Sequence, residues 1–477
     1  MRNRISLAVT IFLLAACTVS FAQTLTSLTN QPPDGASIGF VLTDGTVLYQ
    51  GNNMSDWWKL TPDKKGSYLN GTWKQMASLP SGYVPLYFAS AVLADGRVII
   101  EGGEYNNLNF VLTNLGAIYD PKSNKWTPVN PPKDWNYIGD SPCVVLPDGR
   151  FVVGDKLTKQ MAALDPSTLK WTALSSKGKS DFDAEEGWSL LADGSVLTYD
   201  VKNAPHSERY IPKQGKWVSA GSTIVDLHVP HTGGCISYPG GCYNPPGEVG
   251  PGILRPDGTL LATGAASNGG NGPGHTAVYN TSTGKWAVGP DFPNGDNAGD
   301  SYAALLTNGN VLVLGESGTL YEFNGTTMKA GPNVGAGYSS LIVLPTGEVI
   351  VAGSALYTSK GTYSSTWAPV ITSVPSSVTR GSTYKISGQQ FNGLSQAAAF
   401  GDELETATNY PLVRITNNAT GHVFYAKTHD HSTMGVATGT ATVFTNFDVP
   451  AKMETGASKL VVVANGIPSK AVSITVN

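Results

Sequence analysis

Four carboxylates and two tyrosines stand at one repeated distance from a turn, and that spacing is the chemistry this chain offers. Seven times a short apolar strand ends in a Gly turn, at Gly45, Gly96, Gly149, Gly194, Gly258, Gly309 and Gly347. Nine residues before each Gly, ten at Gly258 where the turn is longer, stand Ala36, Tyr87, Asp140, Glu185, Glu248, Asp300 and Tyr338. If the repeats are arranged radially, these positions face a common space. Like charges confined there cannot all ionise freely unless a cation neutralises them. Three chemistries follow. A protonated acid and an ionised base or nucleophile could cleave a glycan, as hydrolase or lyase. Glu185 and Glu248 are the expected pair, Asp140 and Asp300 lie beside them, and Tyr87 and Tyr338 orient sugar rings or donate protons. Alternatively the carboxylates could hold a hard cation such as Ca2+, or bind an amine or adhesion ligand without chemistry. Each acid could also simply accept from strand-end amides of a neighbouring repeat.

Two further constellations carry chemistry. Trp73, Trp126, Trp171 and Trp286 each precede the next turn Gly by 23 residues, whereas Trp217 precedes Gly258 by 41. The inserted stretch holds His228, His231, Cys235, Cys242 and Tyr243 and runs into Glu248. A loop of this kind can build a binding wall, with His228, His231 and Tyr243 toward substrate, or be a plain surface loop. Cys235 and Cys242 bracket a Pro-Gly-Gly turn and are expected to pair in an oxidising compartment. Cys143, in an apolar strand, is expected to be a buried free thiol. His429 and His431 alternate on an extended segment and could share a metal, or belong to a polar turn. His206 and His275 have no paired spacing and are expected to be structural or surface groups. The Gly-rich run Asn268 to His275 is not followed by a helix, so a phosphate-binding reading is weak.

The elements that must position these residues are strands. The chain has 477 residues, 55 of them Gly, 30 Pro and 20 Tyr, which favours turns and strands. Between turn glycines each unit reads as inner strand, turn, second strand, a Tyr-Asp-Pro type third strand and a Trp strand. Units near 50 residues with four short strands predict an all-β, seven-bladed kelch-type β-propeller over 23–368. After Trp367 the turn repeat stops, and 369–477 alternates apolar and polar in short strands, predicting an immunoglobulin-like β-sandwich.

Residues 1–22 read as an export signal, with Arg2 and Arg4 before an apolar run. Cleavage after Ala22 predicts a secreted or periplasmic protein, and the Leu14-Ala15-Ala16-Cys17 box would instead give a lipoprotein anchored through Cys17. With 35 acidic and 31 basic residues, a net charge of -4 gives no electrostatic reason for nucleic acid or anionic membrane as partner. No transmembrane segment is expected in the mature chain, and a monomer is the expectation.

The order of seven kelch-like units and an Ig-like module resembles galactose oxidase and related copper-radical oxidases. Tyr87-Phe-Ala-Ser-Ala-Val-Leu-Ala-Asp-Gly96 and Asn465-Gly-Ile-Pro-Ser-Lys-Ala-Val-Ser-Ile474 carry the likeness. The resemblance implies a Tyr cross-linked to a Cys, a Tyr-His pair ahead of the last blade, a His from the C-terminal module, and a C-terminal loop sent into the propeller channel. Tyr87 matches the first Tyr, but Ala36-Ser37-Ile38-Gly39 stands where its Cys partner should fall. Tyr338 matches the second, yet Ser339 follows it, and Gly401 to Thr408 holds no His. The expected site is therefore an acidic pore rather than a copper centre. By the same analogy a C-terminal loop carrying His429 and His431 would dock near the acids.

Overall fold

The computed structural model describes residues 23–266, 272–337, 340–400 and 406–477. The export segment over 1–22 lies outside the described residues. Seven antiparallel sheets follow one another along the chain. Sheet 1 comprises Gly39–Val41, Val47–Gln50, Trp57–Thr61 and Thr72–Gln75, and sheet 2 Ala89–Val92, Val98–Glu101, Gly116–Asp120 and Lys125–Val129. Sheet 3 (Cys143–Val145 to Lys170–Leu174), sheet 4 (Ser189–Leu190 to Lys216–Ser222) and sheet 5 (Gly252–Leu254 to Lys285–Val288) repeat the pattern. So does sheet 6 (Ala303–Leu305 to Met328–Asn333). Sheet 7 takes Leu341–Val343, Val349–Val351 and Ala355–Thr358, and borrows Thr24–Ser27 from the start of the chain as its fourth strand.

The repeated residues explain the repeat. In every turn the Gly has a left-handed backbone, φ 74° at Gly45 and 89° at Gly347, where a Cβ would be strained. Its N–H donates to the carbonyl three residues earlier, just past the first strand, which is a Leu in six turns, at 2.9 Å from Gly45 to Leu42, and Arg255 in the turn of Gly258. The outer-strand tryptophans join sheets. Trp126 Nε1 donates to Ala77 O at 3.1 Å and Trp171 Nε1 to Asn130 O at 2.7 Å, each reaching the end of the preceding sheet. First strands meet their neighbours: Ala89–Val92 touches Cys143–Val145, Gly252–Leu254 touches Ala303–Leu305, and Leu341–Val343 touches Gly39–Val41. The last contact returns sheet 7 to sheet 1. The arrangement is all-β and propeller-like, burying sheet faces against one another so that only short strand edges remain.

The C-terminal strands, from Val370–Ser373 to Val472–Val476, form a nine-stranded assembly with a core of its own around Ile415, Phe447 and Val462. They also reach into the ring. Ala398–Ala399 pairs antiparallel with Ala303–Ala304 of sheet 6, and Gln396 Oε1 accepts from Leu190 N at 2.6 Å. A segment from the C-terminal part thus enters among the first strands, but it is 396–400, not the His-x-His stretch.

Candidate functional site

Antiparallel geometry brings the start of each first strand beside the end of the second. Residues at that edge of sheets 2 to 6 line a cavity of about 150 Å3 formed by Tyr87, Glu104, Asp140, Glu185, Glu248 and Asp300, with His231 from the insertion at its edge. All four repeat-offset acids are therefore brought together with Tyr87. Tyr338 lies outside the described residues. A second cavity of about 520 Å3 shares Glu248 and Asp300 and adds Asn297 and Glu316.

The backbone at this edge is bent sharply. Tyr87 (φ 52°), Glu185 (φ 59°) and Asp300 (φ 48°) are all left-handed, while Gly139 (φ 75°) and Gly247 (φ 123°) take that geometry one residue before Asp140 and Glu248. Three non-Gly residues in this region each cost about 1 kcal/mol or more, and such strain concentrates at functional positions.

Two residues that the repeat spacing did not single out organise the charges. Lys156, fully buried, donates through Nζ to Asp140 Oδ2 and, at 2.5 Å, to Glu185 Oε1. Glu104 is held in a loop whose backbone N–H donates to Tyr87 O at 2.9 Å. Both lie just past the end of a second strand, at Gly154-Asp155-Lys156 and Gly102-Gly103-Glu104. The signal was a polar residue following that strand, next to the offset positions in space but about 16 residues away in sequence.

Burial and crowding set the protonation states. Burial pushes Asp140 well above the usual carboxylate range, Lys156 pulling against it. Burial, then Glu185 and Asp300, push Glu248 well above that range too. Glu104 is pushed up to about 7, burial opposed by Lys156 and reinforced by Glu185. Asp300 is raised to about 6 by burial and Glu185, a hydrogen bond with Glu248 pulling it back. For Lys156 burial works against the ammonium, but Asp140 and Glu185 outweigh it and raise its pKa well above the ordinary value. The site thus carries one cation, held between Asp140 and Glu185, and burial and crowding favour the neutral form of Glu248 and keep Glu104 titrating near neutrality.

The insertion supplies a wall. Cys235 and Cys242 form a disulfide, and Ile236–Tyr238 pairs with Gly241–Tyr243 in a short hairpin. Val229 and Glu248 bridge at the hairpin's base. This places Tyr243 OH to donate to Glu185 Oε1 at 3.0 Å, with the Lys156 ammonium 5.2 Å from the Tyr243 ring centre. Phe110 stacks against Tyr243 and meets Tyr105, which packs edge-on to Tyr87, continuing an aromatic wall. His228 does not line the cavity; its Nδ1 faces Asp226 Oδ1 at 3.3 Å.

His429 and His431 do not join the acids, contrary to the docking the resemblance suggested. Their segment packs on the turn end of the inner strands, His431 N donating to Ala94 O and Thr428 N to Thr43 O. That is the opposite end of those strands from Tyr87. The two rings also diverge. His429 faces Asp430 and Asp448, while His431 is buried, hydrogen-bonded through Nδ1 to Thr445 Oγ1 at 2.8 Å, and driven down to about 3 by burial. Cys143 is buried and free of disulfide, its Sγ accepting from Ser90 N at 3.3 Å.

No protein-family model matches the sequence, and no curated protein matches it. Solved structures do resemble it. A fungal alcohol oxidase of the AA5 family, in complex with copper, superposes with a TM-score of 0.50 at 14% identity, covering 95% of this chain and 98% of its own. Virginiamycin B lyase from Staphylococcus aureus gives a TM-score of 0.47 at 12% identity, covering 71% of this chain and 99% of its own. The likeness is one of fold: this is a protein with a β-propeller-like, all-β architecture. The copper of the oxidase is not matched by donors here. Among the described residues, the cavity offers carboxylates and a phenol, and its single imidazole, His231, is exposed and faces Gly234 O at 3.3 Å. Such a set does not suit copper, which is held best by imidazole and sulfur ligands. The stretch 401–405, where the resemblance would put a ligand, and Ser339 lie outside the described residues.

Proposed function

We propose that the protein is an extracytoplasmic, carbohydrate-active enzyme that cleaves a glycan with carboxylates of the acidic cavity. The observation that carries this reading is the division of labour between Glu185 and Glu248. Glu185 accepts from both Lys156 and Tyr243, which fixes it as an acceptor and suits a base or nucleophile. Glu248 holds its proton by burial and suits a general acid. Asp300, hydrogen-bonded to Glu248, can return that proton. Tyr87, Tyr105 and Phe110 offer ring faces against which a sugar can lie, and the adjoining larger cavity has room for neighbouring units.

Within this reading the seven sheets are blades of a kelch-type propeller over 23–368, and 369–477 is an Ig-like module. The disulfide and the export signal fit a secreted or periplasmic protein, with Cys17 as the alternative anchor. Among the described residues no helix is long and apolar enough to cross a membrane. A second reading rests on the excess of five cavity carboxylates over one lysine, which suits a Ca2+-clamped, non-catalytic binding site.

The test is a polysaccharide panel assayed for reducing ends and unsaturated products with wild type, Glu185→Gln and Glu248→Gln. Each variant should lose about 10^2 to 10^4-fold in turnover while still binding. Equal turnover by both variants overturns the assignment, and stoichiometric Ca2+ without turnover favours the clamp.

A further inference from the structure

We propose that Asp200, His206 and Glu208 form a divalent metal site, suited to Zn2+, on sheet 4 and apart from the acidic cavity. Asp200 follows the second strand, Val196–Tyr199, and the other two lie on the third, His206–Ile211. His206 and Glu208 alternate along that strand and so share a face. One ligand atom from each of the three residues falls within 4.8 Å of the others, so a small inward shift brings them to the roughly 3–4 Å separation of donors that share one ion with bonds near 2 Å.

Two independent observations favour a cation at this position. Asp200 is only 2% exposed and its Oδ1 has no hydrogen-bond partner, although Oδ2 faces His206 Nδ1 at 2.7 Å. The surroundings also carry too many acids. Asp183, Glu186, Asp200 and Glu208 are all buried around one ammonium, Lys179, and both oxygens of Asp183 lack hydrogen-bond partners. Lys179 serves Glu186 first, at 2.8 and 3.0 Å, and reaches Glu208 at 3.2 Å and Asp183 at 3.8 Å. Buried acids in such excess either hold protons, as burial favours for Asp183 and Glu186, or are paired or coordinate a metal.

The candidate ligands are already oriented by groups behind them. His206 Nε2 is engaged by Ser219 Oγ at 3.0 Å, which leaves Nδ1 toward the site. Glu208 accepts from Ser180 N at 2.7 Å and Asp181 N at 3.3 Å. Outer partners of this kind fix ring orientation and ligand geometry in metal sites. One imidazole and two carboxylates match Zn2+, with a fourth position for water, whereas Ca2+ takes six to eight oxygens. The His206 side chain is 33% exposed, which gives an ion a way in.

The experiment uses the purified full chain, stripped with chelator and titrated calorimetrically with ZnCl2 alone, with the melting midpoint followed in parallel. One Zn2+ per chain and a raised midpoint are expected. His206→Ala and Asp200→Asn should each weaken binding about tenfold or more, while Glu248→Gln, in the cavity, should bind Zn2+ as wild type does. X-ray absorption of the wild-type Zn2+ form should show one imidazole and otherwise oxygen ligands, a readout that needs no variant to fold. No Zn2+ bound by wild type, unchanged affinity in His206→Ala, or a ligand shell with sulfur or several imidazoles overturns the proposal.

Discussion

Replacing Lys156 with Met is the sharpest test of the cavity's electrostatics, because it removes one charge and nearly keeps the volume. Lys156 has no exposure to solvent and pairs with Asp140 and, at 2.5 Å, with Glu185. At an effective dielectric near 20, the Glu185 contact alone is worth roughly 7 kcal/mol of Coulomb energy, of which desolvating the ammonium takes back several. Breaking such a buried pair from one side costs about 3–5 kcal/mol, since two buried carboxylates lose their counter-ion. Chemical denaturation at pH 7 should show that loss. Burial already holds Asp140 well above the usual carboxylate range with Lys156 pulling against it, so in the variant its folded-state pKa rises further above the unfolded one. A group shifted this way contributes stability that is present at low pH and lost as pH rises through its folded pKa. Lowering the pH from 7 to 5 should therefore shrink the difference from wild type. A variant as stable as wild type at pH 7, or a deficit that does not change with pH, would show that Lys156 does not neutralise these carboxylates.

The remaining predictions concern neighbouring parts of the site. Glu104, raised from 4.5 to about 7, and Asp300, raised from 3.8 to about 6, should each contribute stability that falls as pH climbs through those windows; Glu104→Gln and Asp300→Asn should flatten the pH dependence of the unfolding midpoint there. Tyr243→Phe removes the 3.0 Å donation to Glu185 and should lower turnover about tenfold, read on the substrate found in the polysaccharide panel, with the melting midpoint nearly unchanged. Cys235→Ser with Cys242→Ser opens a short loop and should loosen the hairpin by about 2 kcal/mol, seen as faster proteolysis within 229–248 while the sheets melt as before.

How much of this was legible in the sequence depends on whether a residue sits in the repeat. The turn glycines and tryptophans are repeated because each sheet needs a left-handed turn and an indole reaching its neighbour, so periodicity exposed the sheets and the edge where Asp140, Glu185, Glu248 and Asp300 meet. Tyr243 was found through the insertion, which breaks the period. The borrowed strand Thr24–Ser27, by contrast, carries no turn and no Trp, and its pairing with Ala355–Thr358 is set by closing the ring rather than by local pattern.

Lys156 and Glu104 escaped for a different reason. A ruler laid from the turn measures distance along the first strand only, yet in an antiparallel pair the residues just beyond the second strand occupy the same edge. Lys156 and Glu316 each stand two residues past that strand, and Glu104 three. Taken alone the first-strand positions read as an acidic ring in which every member competes for protons. With the second-strand positions added, the ring becomes asymmetric: the one cation lies between Asp140 and Glu185 on sheets 3 and 4, while Glu248 on sheet 5 is pushed toward its neutral form farther from that charge. That asymmetry, rather than the number of acids, is what allows one carboxylate to accept a proton while another gives one up.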